Sequence, residues 1–166
     1  MIVSLRYLFR NYADSFGVEC HAGEKPWGRV KADVYMPCAT QNEIGLEDAK
    51  RMIEEGTSKL LIEVANMPTK AEAVEELQKA GFMIAPSKAV NAGGVAVSAL
   101  EMSQNAMKLS WTEEEVDEKL KKIMKNIFNN IDGAAKKYGM DGNLIAGANI
   151  AGFLKVAEAM LNEGIF

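Results

Sequence analysis

Apolar and polar positions along the chain change period several times, and each change marks an expected element. Leu8, Tyr12 and Phe16 recur every fourth residue, the spacing of one helical face, and Gly17 follows where such a helix would stop. Val18 to Cys20 reads as a short strand. Ala32 to Met36 is a β-prone run ended by Pro37, and Leu46 to Glu55 then has helical character closed by Gly56. A second strand is expected over Leu60 to Val64. Thr69-Lys70-Ala71-Glu72 has capping-box spacing, with Thr69 as N-cap of a helix ending before Gly81. Phe82 to Ala85 gives a third strand stopped by Pro86, and the segment from Pro86 through Gly94 reads as a loop. The remainder is helical: one helix over Gly94 to Leu109, a long one capped by Thr112 and running to about Tyr138, and a last one from Gly147 to Glu163.

Strand, helix, strand, helix, strand in this order predicts an α/β fold. It is half of a Rossmann-like parallel sheet, of about three to four strands, followed by three C-terminal helices. The strand and helix units occupy about 18–92 and the closing helices about 94–166, and residues 1–166 are expected to form one unit. A sheet this small leaves an edge strand unpaired.

Composition narrows the function. The 166 residues are 48% hydrophobic and 25% charged, as in an ordinary globular domain, and the net charge of −4 argues against a nucleic-acid surface. The Lys121-Lys122 and Lys136-Lys137 pairs read as solvated surface. No uninterrupted apolar run reaches the roughly 18 residues of a bilayer span, and Met1 to Phe9 lacks the cleavage pattern of a secretory leader. With a single histidine, His21, and two cysteines, Cys20 and Cys38, no Cys/His metal site is expected. Both cysteines are expected to be buried small hydrophobes in a reducing cytoplasm. The methionines, Met102 and Met107 among them, read as core or interface filler, and Trp27 as a residue that packs a loop onto the core.

Parallel strands joined by crossovers place their carboxyl ends on one edge, where ligands of open α/β folds bind. That rule selects the loops at 37–42, 65–69 and 86–94. All are rich in uncharged polar groups, which suit amides, hydroxyls and ribose better than metal ions. The turn Asn91-Ala92-Gly93-Gly94-Val95 leads into a helix N-terminus, a place that favours a carboxylate or phosphate, and Ser98 lies one turn on. Nowhere does a GxGxxG follow a strand, so the turn that carries a dinucleotide pyrophosphate is missing.

Four motifs in order, Pro37-Cys38-Ala39-Thr40-Gln41-Asn42-Glu43, Ala65-Asn66-Met67-Pro68-Thr69, Lys88-Ala89-Val90-Asn91-Ala92-Gly93-Gly94-Val95 and Gly147-Ala148-Asn149-Ile150-Ala151-Gly152-Phe153, resemble those of hexameric, bacterial-type glutamate dehydrogenases. The similarity runs from about Tyr12 to Phe166 and fades before Arg10. It implies reversible oxidative deamination of L-glutamate to 2-oxoglutarate and ammonia, with hydride passing to NAD or NADP. It also implies that the nicotinamide half of the cofactor lies against Ala39, Thr40, Asn66 and Asn91. Ser98 would hydrogen-bond the distal carboxylate of glutamate, and Val95 would form an apolar wall of the same pocket. A homo-oligomer or pairing with a full-length paralogue follows from the same resemblance, as does a cytoplasmic location.

The departures matter equally. The family's substrate-binding lysines, its activating lysine and its acid-base aspartate have no counterpart here, and Lys88, which matches a different lysine of the family, does not replace them. No catalytic residue is therefore assigned, and the isolated chain is expected to be inactive. Val64 and Ser87 stand where the family usually has glycine, and Val64 would be strained if its position required a positive φ. The expectation is a truncated dehydrogenase sequence; the alternative is a non-catalytic binding module that pairs with a partner chain.

Overall fold

The computed structural model describes residues 5–164, with side chains from Phe9 onward. The expected position of the Leu8 side chain on the first helical face lies outside what is described. Seven helices and two strands follow in chain order among the described residues: α1 (Leu5–Phe16), α2 (Leu46–Glu55), β1 (Leu60–Ile62), α3 (Ala71–Lys79), β2 (Met83–Ala85), α4 (Ser87–Val90), α5 (Ala92–Met107), α6 (Glu113–Lys137) and α7 (Leu144–Glu163).

The fold is α/β, and its sheet is smaller than expected. β1 and β2 pair in parallel, with Leu60 opposite Met83 and Ile62 opposite Ala85. The segment expected as a strand over Ala32 to Met36 adds one parallel bridge, Tyr35 to Leu61, through Tyr35 N–H to the Leu60 carbonyl (3.0 Å) and Ile62 N–H to the Tyr35 carbonyl (2.8 Å). β1 is therefore central. Val18 to Cys20 forms no strand: the Val18 N–H bonds back to the Ala13 carbonyl at the end of α1 instead of to a neighbouring strand.

Local signals explain the helix ends. The Thr112 hydroxyl accepts the Glu115 N–H (3.3 Å) and the Glu115 carboxylate accepts the Thr112 N–H (2.8 Å), so α6 begins in a complete capping box. Thr69 does not cap α3. Its backbone is held in a parallel bridge with Ile44, Lys70 takes the N-cap position, and the buried Thr69 hydroxyl has no partner. The last helix starts at Leu144 rather than Gly147, because the Asn143 side chain accepts the Ala146 N–H (3.0 Å).

Two apolar clusters hold the molecule. One joins Trp27, Tyr35, Ile44, Met52, Leu61, Leu77 and Ile84 between the sheet and helices α2 and α3. Trp27 lies edge-on to Tyr35, with ring centroids 6.4 Å apart. The other joins Ala89, Ile131, Leu144 and Ala148 where α4, α6 and α7 meet. Tyr12 and Phe16 on α1 stack on each other but face solvent, and Met102 and Met107 are exposed, so they do not fill the core. Cys20 and Cys38 are exposed free thiols rather than buried hydrophobes, since both sit in connections outside the two clusters. Helix α7 is long and apolar enough to cross a membrane by length and composition. Reading uninterrupted runs missed this, because Asn149, Lys155 and Glu158 break an otherwise apolar helix.

Tyr35 carries a pH signature. Burial and the Glu55 carboxylate, which accepts its hydroxyl (3.1 Å), push it up to about 12, from an ordinary value of about 10. The native chain holds this proton more tightly than the unfolded chain. The resulting stabilisation is complete below about pH 10 and is lost as pH rises toward about 12. Tyr35→Phe is expected to flatten that alkaline limb in urea titrations and to cost about 1 kcal/mol at neutral pH. An unchanged alkaline limb would show that other groups govern it.

Candidate functional site

The sheet ends at Pro37, and its carbonyl accepts two successive N–H groups, Val64 (3.2 Å) and Ala65 (2.9 Å). Beyond this point the loops at 38–41 and 65–67 run side by side and join again where Asn42 N–H meets the Met67 carbonyl (3.0 Å). Asn42 and Met67 both take positive φ, 56° and 44°, which turns the two loops together. Val64 is not among the described non-glycine residues with positive φ, so it fits this backbone without strain.

Opposite these loops lies α5, and between them opens a cleft of about 790 Å³. The expected loop from Pro86 through Gly94 is helical instead. α4 begins directly after Pro86, with Ala89 and Val90 N–H groups on the Pro86 carbonyl (2.9 and 3.1 Å), and α5 follows at Ala92. Two amides near the α5 N-terminus already have partners, Asn91 N–H on Ser87 (2.9 Å) and Gly94 N–H on Asn91 (3.2 Å). This reduces the free donors that the Asn91-to-Val95 turn was expected to offer an anion.

Of the six residues singled out from the sequence, Ala39, Asn66, Asn91, Val95 and Ser98 all border this cleft. Asn91 Nδ2 donates to Asn66 Oδ1 (2.5 Å), tying one wall to the other. The Ser98 hydroxyl turns back to the Gly94 carbonyl (3.3 Å), and Val95 is 74% exposed. Thr40 is not on the lining; its N–H donates to the Glu43 carboxylate (3.3 Å). Cys38, Gln41, Ala65 and Gly94, which lie in the selected loops but were given no individual role, also line the cleft, as does Val64. Strand-end topology had selected the loops of the first four, and Val64 directly precedes one of them.

The cleft wall carries amides, a hydroxyl, a thiol and apolar groups, and no carboxylate, imidazole or lysine lines it. Such a wall can bind and orient a neutral amide ring through the spare donors and acceptors of Asn66 and Asn91. It holds no general acid or base of ordinary strength. Among the described residues, no group of three His, Cys, Asp or Glu side chains is placed to hold a metal ion.

Residues 4–164 match the family model described as Glutamate/Leucine/Phenylalanine/Valine dehydrogenase. The chain belongs to this dehydrogenase family. It is 54% identical over 166 residues to the NAD-specific glutamate dehydrogenase of Clostridium symbiosum, covering 99% of this chain and 36% of that protein. Against the NADP-specific glutamate dehydrogenase of Haemophilus influenzae it is 49% identical over 162 residues, covering 95% and 35%. A solved glutamate dehydrogenase superposes with a TM-score of 0.87 at 54% identity, covering 94% of this chain and 34% of that one. The Plasmodium falciparum glutamate dehydrogenase gives 0.87 at 42% identity, covering 99% and 38%. The chain thus spans about a third of the length of the dehydrogenases it matches.

Proposed function

We propose that this chain is the C-terminal nucleotide-binding portion of an NAD(P)-dependent glutamate dehydrogenase, acting on L-glutamate and 2-oxoglutarate with ammonia, and that it does not turn over by itself. The observation that carries the reading is the joining of Asn66 and Asn91 across a cleft at the carboxyl edge of a parallel sheet. A nicotinamide ring, when bound, supplies the acceptor for hydride from the substrate carbon. In this reading Asn66 and Asn91 would hold its carboxamide, Ala39 would lie against its ribose side, and Val95 and Ser98 would face the far carboxylate of glutamate. The missing steps, proton transfer and anchoring of the substrate's α-carboxylate, need charged groups that this wall does not have. The same reading places the protein in the cytoplasm.

Titration of the 166-residue chain with nicotinamide mononucleotide, followed by NMR, tests the binding step. Binding is expected, and Asn91→Ala is expected to weaken it about tenfold, the effect of losing one or two hydrogen bonds. An NAD(P)H oxidation assay with 2-oxoglutarate and ammonium is expected to show no turnover. Measurable turnover by the chain alone would overturn the second half of the proposal.

A second reading, a non-catalytic module that joins a partner chain, draws on the outer side of the Tyr35 segment. Tyr35 spends its backbone groups on β1, so Val34 and Met36, both exposed, face away from the sheet there. Co-elution with a full-length glutamate dehydrogenase would favour that reading.

A further inference from the structure

We infer that Ser87, anchored by the buried carboxylate of Glu63, is a positioning residue that sets the Asn66–Asn91 pair; this rests on the nicotinamide-binding reading of the cleft. Three observations meet at Ser87. Its N–H donates to Glu63 Oε2 (3.1 Å). Its hydroxyl accepts the N–H of Met67 (3.4 Å), the residue next to Asn66. Its carbonyl accepts the N–H of Asn91 (2.9 Å). One residue therefore holds the backbone beside each of the two amides, and those amides lie in hydrogen-bond contact (2.5 Å).

Glu63 fixes that hub. It lies one residue beyond β1 and is 6% exposed. No cation pairs with it among the described residues, in contrast to the buried Asp48. A buried carboxylate without a cation is held by hydrogen bonds, and Glu63 accepts one from the first residue of α4. The Ser87 side chain adds what a residue without a hydroxyl cannot. Met67 has φ of 44°, a conformation that favours glycine, and the hydroxyl bond to its N–H helps to keep this turn in place. Removing the hydroxyl releases the Met67 N–H beside Asn66 while leaving the Glu63 contact, which uses only the Ser87 backbone.

The test uses the 166-residue chain and four variants, S87A, S87T, E63A and E63Q, each followed by the Asn side-chain NH₂ resonances and by affinity for nicotinamide mononucleotide. S87A is expected to shift the Asn91 NH₂ signals toward those of a solvent-exposed amide and to weaken binding about tenfold, with S87T restoring both within about threefold. E63A is expected to do the same, and E63Q, which keeps an acceptor, to recover most of it. Unchanged Asn91 signals in S87A and E63A would overturn the proposal, as would failure of S87T to rescue. Should E63A not fold, S87A and S87T decide alone. If the unaltered chain binds no nicotinamide mononucleotide, the functional reading fails, while the amide signals still judge the role of Ser87.

Discussion

Gly147→Val is expected to separate the last two long helices, lowering stability by about 3 kcal/mol and exposing the cluster around Ile131 and Leu144. A Cβ placed at Gly147 would sit 2.1 Å from the Ile131 carbonyl oxygen, 3.0 Å from its carbon and 3.1 Å from the Ala135 methyl. Two of these are backbone atoms that no rotamer change can move, so α7 would have to withdraw from α6 bodily. Gly152 on the same helix has nothing within 4 Å of its would-be Cβ. Gly152→Ala is therefore expected to be neutral or to stabilise by up to about 1 kcal/mol, through helix propensity alone. Urea denaturation of the two variants separates the effects. Equal behaviour would mean that α6 and α7 do not cross as closely as described.

Asp48→Ala is expected to lower stability by about 2 to 3 kcal/mol, because it removes the centre of a buried polar network. Asp48 is 5% exposed and accepts from Lys25 (3.0 Å), from Gly45 N–H (2.9 Å) and from Arg51. Without it, the N-terminus of α2 loses its cap and the 25–27 segment loses its anchor beside Trp27. Lys25 and Arg51 are themselves partly solvated, which limits the loss. Burial alone would raise the Asp48 pKa, but the Gly45 N–H, Lys25 and Arg51 outweigh it and hold the carboxyl below its ordinary value. The sign follows: the unfolded chain binds this proton more readily. The stabilisation is present above about pH 4 and disappears as pH falls through the lower native value. Asp48→Asn is expected to flatten that acid limb in denaturation midpoints between about pH 5 and pH 2. A limb unchanged in Asp48→Asn would assign acid sensitivity to other carboxylates.

What could be read from the sequence was local. α2 ends and α6 begins where their own residues say, at Gly56 in the left-handed conformation and at the Thr112 box. The features that could not be read depend on distant partners. α4 was taken for loop because the acceptor beside its first N–H belongs to Glu63, 24 residues away. Thr69 gave up the cap to a pairing with Ile44 across 25 positions. The run at 32–36 shrank to Tyr35 because a β-prone sequence makes only as much strand as its neighbour can pair. The grouping of Ala39, Asn66, Asn91, Val95 and Ser98 was foreseeable from parallel topology, which sends strand ends to one edge. The exclusion of Thr40 from the cleft lining was not, since it depends on how the 38–41 loop folds back toward Glu43.

The two loops pinned at Pro37 and again at Asn42 have a mechanical consequence. Joined at both ends of a short span, 38–41 and 65–67 behave as one stiff jaw. Any breathing of the cleft must then come from α5 swinging against that jaw. Among the described residues, the hydrogen bonds that cross the gap at that end are Asn91 to Asn66 and Ser87 to Met67. Amplitude is thus set by two bonds rather than by the sheet, and a molecule inserted between Asn66 and Asn91 would change the compliance of the whole opening.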